Sequence, residues 1–260
     1  MKTILLSVGL MMTSGLNLLA QVIVSEPFNY VNDAALAANW TIAATSPITL
    51  NTASGNPSPS VLNAATATAP NLWKGSAFSV TPTDVAPLRL TADFFSPATT
   101  TGAVTTVGLR TGANPLFEMG LYRQFDNIQT GPATTEPLTP AGTGIGTRTI
   151  NLGTDLPGQD WVKMGDYFNG IARFEATFTT FAVTTRIDIG IDGTWDSVFT
   201  ETGTTPTGAF TDLRIHAPVT TTAGSGGTGV DNILLEVIPE PSSALLLGFG
   251  SALALRRRRG

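Results

Sequence analysis

Residues 173–199 read RFEATFTTFAVTTRIDIGIDGTWDSVF, and the way this stretch alternates decides the fold class. From Arg173 to Thr179, the residues Phe174, Ala176 and Phe178 fall on one side of an extended chain, and Arg173, Glu175 and Thr177 on the other. Successive side chains of a strand point to opposite faces, so one apolar and one polar face result. Between 184 and 191, Ile187, Ile189 and Ile191 alternate in the same way with Arg186, Asp188 and Gly190. Asp192-Gly193 is a dipeptide suited to a tight primed turn, which predicts that residues 195–199 return as the partner strand.

Outward from this hairpin the same signals recur. Segments 76–81 and 88–95 are separated by Pro82 and Pro87, and segments 105–110 and 116–123 flank Gly112-Ala113-Asn114-Pro115. Segments 210–216 and 230–238 complete the series of expected strands. One short helix is expected over 33–38, with Asp33 as its cap. Residues 51–71 and 129–146 read as long loops, and 223–229 as a glycine-rich turn. Period-two patterning with almost no helix predicts an all-β, antiparallel β-sandwich.

Composition removes several functions. Cysteine is absent, which excludes disulfides, thiolate chemistry and cysteine-based zinc sites. Between Ser25 and Pro239 acidic residues outnumber basic ones about two to one, with no basic patch interleaved with aromatics, so nucleic acid is not an expected partner. His216 is the sole histidine, which rules out a multi-histidine metal site; its place before Ala217-Pro218 reads as a strand-end polar residue. The run Gly142-Thr143-Gly144-Ile145-Gly146 has no following helix and is not a phosphate cradle.

The two ends carry addressing signals. Lys2, an apolar stretch over 4–12 and Leu18-Leu19-Ala20 read as a secretory signal peptide over 1–20, with an uncleaved anchor as the competing reading. Pro239-Glu240-Pro241-Ser242-Ser243 precedes an apolar run over 244–255 and then Arg256, Arg257, Arg258 and Arg259. As a helix of ~1.5 Å per residue that run spans about 18 Å, short of a ~30 Å hydrocarbon core, and the arginines resist crossing. This ordered trio resembles the PEP-CTERM sorting domain. The resemblance implies recognition by an exosortase, a transpeptidase-like membrane cysteine protease, with transient inner-membrane tethering before sorting to the envelope surface or extracellular matrix. The chain then divides into a signal peptide (1–20), a sandwich domain (21–237) and a sorting signal (238–260).

The body carries a more diffuse resemblance. Glu26-Pro27-Phe28-Asn29-Tyr30, then Leu36 and Trp40, open it; Phe210-Thr211-Asp212-Leu213-Arg214-Ile215 and Val230-Asp231-Asn232-Ile233-Leu234-Leu235 close it. With the central hairpin these resemble a laminin-G or concanavalin-like jelly roll. Related sandwiches often bind structural calcium where first and last strands meet, which implies Glu26 and Asp231 as candidate ligands. Asp231 shares parity with Ile233, Leu235 and Val237, an inward row where an unpaired carboxylate is costly; backbone hydrogen bonds from the preceding glycine-rich turn are the alternative.

The fold also raises glycan binding and glycan hydrolysis. Glycoside hydrolases need two carboxyl groups, ~5–9.5 Å apart. The jelly-roll hydrolases' Glu-x-Asp strand pattern is missing, and the nearest pair, Asp188 and Asp192, would lie about 13 Å apart if extended. Trp73, Trp161, Trp195 and Tyr122 are the aromatic candidates for stacking on sugars. The expectation is a non-enzymatic surface or matrix protein with an adhesion, coating or polymer-association role, no catalytic residues, and extracellular polysaccharide as a partner. A lectin-like module is the alternative and a glycoside hydrolase the third reading.

Overall fold

The computed structural model describes residues 20–45, 47–53, 55–56, 59–63, 70–96, 105–112, 116–125, 142–150, 159–203, 208–216 and 228–238. The expected signal peptide, the Pro239-Glu240-Pro241 motif and the Arg256–Arg259 cluster lie outside the described residues. Among those described, no helix is long and apolar enough to cross a membrane.

Fifteen strands and one helix are described: β1 (Gln21–Glu26), α1 (Asp33–Asn39), β2 (Trp40–Thr41), β3 (Ile48–Asn51), β4 (Ser60–Asn63), β5 (Asn71–Trp73), β6 (Leu88–Ser96), β7 (Thr105–Arg110), β8 (Leu116–Phe125), β9 (Gly142–Ile150), β10 (Gln159–Gly165), β11 (Gly170–Phe178), β12 (Ala182–Ile189), β13 (Ser197–Thr202), β14 (Asp212–His216) and β15 (Gly229–Val237). They form two antiparallel sheets. Sheet A runs β13-β12-β11-β6-β15-β4-β3, with β1 also paired to β15, and sheet B runs β10-β9-β8-β7-β14-β5-β2. The chain is thus an antiparallel β-sandwich, as the alternation predicts.

The sheets meet through the apolar faces read from the sequence. Phe174 and Phe178 of β11 are fully buried; Phe174 meets Phe94 edge-on at 4.7 Å, and Phe178 meets Phe117 of sheet B at 4.9 Å and Phe210 at 5.2 Å. Such T-shaped pairs add to the stabilisation from area burial.

Local readings differ from the structure in four places. Residues 76–81 form no strand; Val80 makes only an isolated bridge to Phe210. Within the expected loops, residues 60–63, 71 and 142–146 belong to β4, β5 and β9, and residues 129–141 lie outside the described residues. The helix cap is Asn32, whose side chain accepts from Ala35 N at 2.9 Å, while the Asp33 carboxylate accepts from Leu50 N. Finally, Asp192-Gly193 is not a two-residue turn: β12 ends at Ile189, β13 starts at Ser197, and the pairing begins at Ile187 with Ser197. Carboxylates organise this wider connection. Asp188 accepts from the N–H groups of Asp192 (3.1 Å) and Gly193 (2.9 Å), and Asp196 accepts from Ile189 N (2.6 Å). Ile191 consequently adopts φ 55°, and Ile189, expected inside, is exposed.

Candidate functional site

The polar face of the deciding stretch becomes the outer face of sheet A. The strand register places Arg186 of β12 beside Glu175 of β11, and Glu175 beside Thr91 of β6. The Glu175 carboxylate lies 3.6 Å from Arg186 Nη1 and 3.8 Å from Arg89 Nη1. Arg89 in turn donates from Nε at 2.8 Å to Glu236 of β15. At the outer end, the Arg186 guanidinium carbon sits 5.7 Å from the ring centroid of Trp195, a residue that is 36% exposed. A continuous row therefore crosses four strands: Trp195, Arg186, Glu175, Arg89, Glu236. Its inner end opens into a groove of about 390 Å³, lined by Arg89, Thr91, Arg173, Glu175, Leu234 and Glu236 among others.

Next to the groove, Arg173 binds Asp93 in a two-pronged pair at 2.7 and 2.9 Å. Asp93 stands opposite Asp231 in the β6–β15 register, so Asp231 faces outward rather than inward. The parity reading fails because the register shifts between Asp231 and Leu234, and Asn232 adopts φ 49°. That bulge is where β15 exchanges one edge partner for another: β4 pairs it at 229–230 and β1 at 233–237.

Asp231 is nonetheless fully buried, and it accepts backbone N–H groups from Asn56 (2.6 Å) and Asn232 (2.8 Å). Burial pushes its carboxyl up to about 6 against the pull of those two N–H groups, and the charges of Asp93 and Glu26 add to the rise. Glu26, also buried, accepts from Phe28 N (2.8 Å), Trp40 Nε1 (3.2 Å) and the Tyr30 hydroxyl. Burial and then this carboxylate raise the Tyr30 hydroxyl above its ordinary range. Glu26 and Asp231 feel each other's charge and their oxygens already accept protein donors, with which a calcium ion bridging them would compete. Among the described residues no group of three or more His, Cys, Asp or Glu is placed to hold a metal.

A second cluster lies on the outer face of sheet B, and sequence reading misses it. Glu118 of β8, fully buried, meets Arg148 Nη2 at 2.6 Å, Arg214 Nε at 2.9 Å and His216 Nδ1 at 2.9 Å. Burial alone would raise the Glu118 carboxyl, but Arg148, His216 and Arg214 together outweigh it and hold the group below the usual carboxylate range. Arg214 reaches Glu118 across β7 because Gly108 lies between them in register; a Cβ there would stand 2.3 Å from Phe117 O and 2.7 Å from Glu118 Cγ. His216 does end its strand, as expected. A glycine inside a strand is the one sequence signal that marked this close approach.

Of the four aromatic candidates, Tyr122 is fully buried and donates to Glu118 O at 3.2 Å. Trp73 packs edge-on to Trp40 at 5.5 Å, and the Trp161 side chain lies outside what is described. Of the candidates described, Trp195 is the most exposed.

No protein-family model and no curated protein sequence matches the chain. Among solved structures, lectin II from Ulex europaeus is 14% identical, with a TM-score of 0.44 over 76% of this chain and 92% of its own. A carbohydrate esterase from Shiga toxin-encoding bacteriophage phi24B is 13% identical, with a TM-score of 0.47 over 84% and 99%. The exoplasmic/lumenal domain of VIP36 has been solved in metal-free form (10% identical, TM-score 0.43, covering 84% and 91%) and in a Ca2+-bound form. At these identities and scores the likenesses assign no residue and no activity to this chain.

Proposed function

We propose that the chain is an exported surface or matrix protein whose sandwich associates, without chemistry, with an extracellular polysaccharide through the outer face of sheet A. The observation that carries this reading is the exposed Trp195 ring continuing, through Arg186 and Glu175, into an open polar groove. An aromatic platform beside convergent polar groups is what a sugar needs, one apolar face and several hydroxyls.

This face is read as non-hydrolytic because its carboxylates are paired with arginines or buried. Asp93 is paired with Arg173, Glu236 and Glu175 with Arg89, and Asp231 is fully buried. A general acid must reach the leaving oxygen, with a second carboxylate across the substrate.

The sorting signal supplies the address. The Pro239-Glu240-Pro241 motif, short apolar run and Arg256–Arg259 cluster support handling by an exosortase, with transient membrane tethering and release of the tail. Mass spectrometry of the envelope-associated protein checks this. Loss of the arginine-bearing terminus is expected in exosortase-positive cells; an intact terminus on mature protein overturns the sorting claim. For the body, a glycan array probed with the exported protein is expected to give retained polysaccharide with no reducing ends released. Release of new reducing ends would replace association with hydrolysis.

A further inference from the structure

The charge arrangement of this face selects among polysaccharides, and we infer that its ligand is an uncharged hexose polymer whose hydroxyls bind Glu175 on the groove floor. This inference rests on the association reading above.

Glu175 is only 9% exposed, yet its carboxylate accepts no hydrogen bond from the described residues. The two guanidinium groups that neutralise it stand at 3.6 and 3.8 Å, beyond direct hydrogen-bond reach. A gap of this size between charged groups is one that a hydroxyl, from water or from a ligand, can bridge. A sugar hydroxyl fits it on both counts, donating to the carboxylate and accepting from an arginine N–H. Arg89 and Arg186 carry further donors in fixed planar forks.

The sum of charge decides the class. Arg89 and Arg186 are balanced by Glu175 and Glu236, while the neighbouring row sets the single Arg173 against Asp93 and Asp188. A uronate or sulfated polymer would meet a neutral-to-acidic surface and would have to break existing ion pairs to find a cation. An uncharged polymer meets no such penalty and uses the pairs as they stand. Direction follows too. From β12 to β15 is three strand spacings of ~4.8 Å, about 14 Å, so the row suits a short oligosaccharide segment lying across the strands.

Equilibrium titration of the full-length chain with three neutral polymers (a β-glucan, dextran and a galactomannan), with alginate and with chitosan tests this. At least one neutral polymer is expected to bind, with affinity changing less than about twofold between ~50 and ~500 mM salt. Glu175→Ala is expected to weaken that binding about tenfold or more. Thr91→Trp adds bulk to the groove beside Glu175 without replacing any ion-paired residue, and is expected to weaken it as much, with melting curves checking that it folds. Salt-sensitive preference for alginate or chitosan overturns the inference, as does neutral-polymer binding unmoved by both variants. Those outcomes leave the association reading standing if Trp195→Ala still weakens binding. Retention of no polymer at all removes both.

Discussion

Glu118 shows how much a single buried charge can organise. Its carboxylate satisfies donors from β9 and β14 at once, and it can do so only because Gly108 leaves β7 without a side chain between them. Gly108→Ala would drive a methyl into the Phe117 carbonyl and the Glu118 stem, an overpacking expected to cost about 1–3 kcal/mol, read as a lowered urea midpoint. Glu118→Gln would leave buried guanidinium groups undercompensated, and the expected loss is larger, about 3–5 kcal/mol. Because the folded Glu118 carboxyl lies below its unfolded value, its contribution is present above about pH 4.3 and is lost as pH falls further. Asp231 has the opposite sign. Its folded carboxyl is raised to about 6, so its contribution is full below about pH 3.9 and disappears as pH rises through 6. Thermal melts from pH 5 to 7.5 should therefore show Asp231→Asn gaining on the unsubstituted protein as pH rises; a constant difference across that range would contradict the assignment.

At the scale of elements, the bulge at Asp231–Asn232 joins three strand pairings in one place. β15 leaves β4 and takes up β1 there, and Asn232 makes the turn in a left-handed conformation, from which its side chain donates to Asp93 at 3.0 Å. Asn232→Val, β-branched at positive φ, is expected to destabilise by about 1–3 kcal/mol. Asn232→Gly should cost less, since glycine keeps the φ and loses only the hydrogen bonds; equal losses in urea melts would show that backbone strain is not the reason. The same bulge marks the limit of sequence reading. Alternation over 173–179 gave the buried and exposed faces of β11 correctly because nothing interrupts its register. Alternation misread Asp231 and Ile189 because one follows from a bulge and the other from a carboxylate-capped turn. Both depend on side chains reaching backbone N–H groups elsewhere, and a period-two pattern does not encode that. Glu175 and Arg186 are legible as lying on polar faces of their strands; that they line up with each other and with Trp195 is not, because that requires the β11–β12 register and the wider turn.

For the whole molecule, two sheets share one apolar interior and present different outer faces. Sheet B turns out a closed ionic cluster around Glu118, with every principal member buried. Sheet A turns out an open row from Trp195 to Glu236 with a groove at its inner end. The first arrangement fixes the fold, and the second leaves donors and acceptors within reach of a ligand. Association with a polymer and delivery to the cell surface are compatible roles for a disulfide-free sandwich followed by the proposed sorting signal. Hydrogen–deuterium exchange of the chain, with and without a neutral polymer, locates the proposed binding face directly. Protection is expected in β6, β11 and β12 and in the 190–196 connection that carries Trp195. Protection confined to the strands of sheet B would contradict the assignment of the binding face.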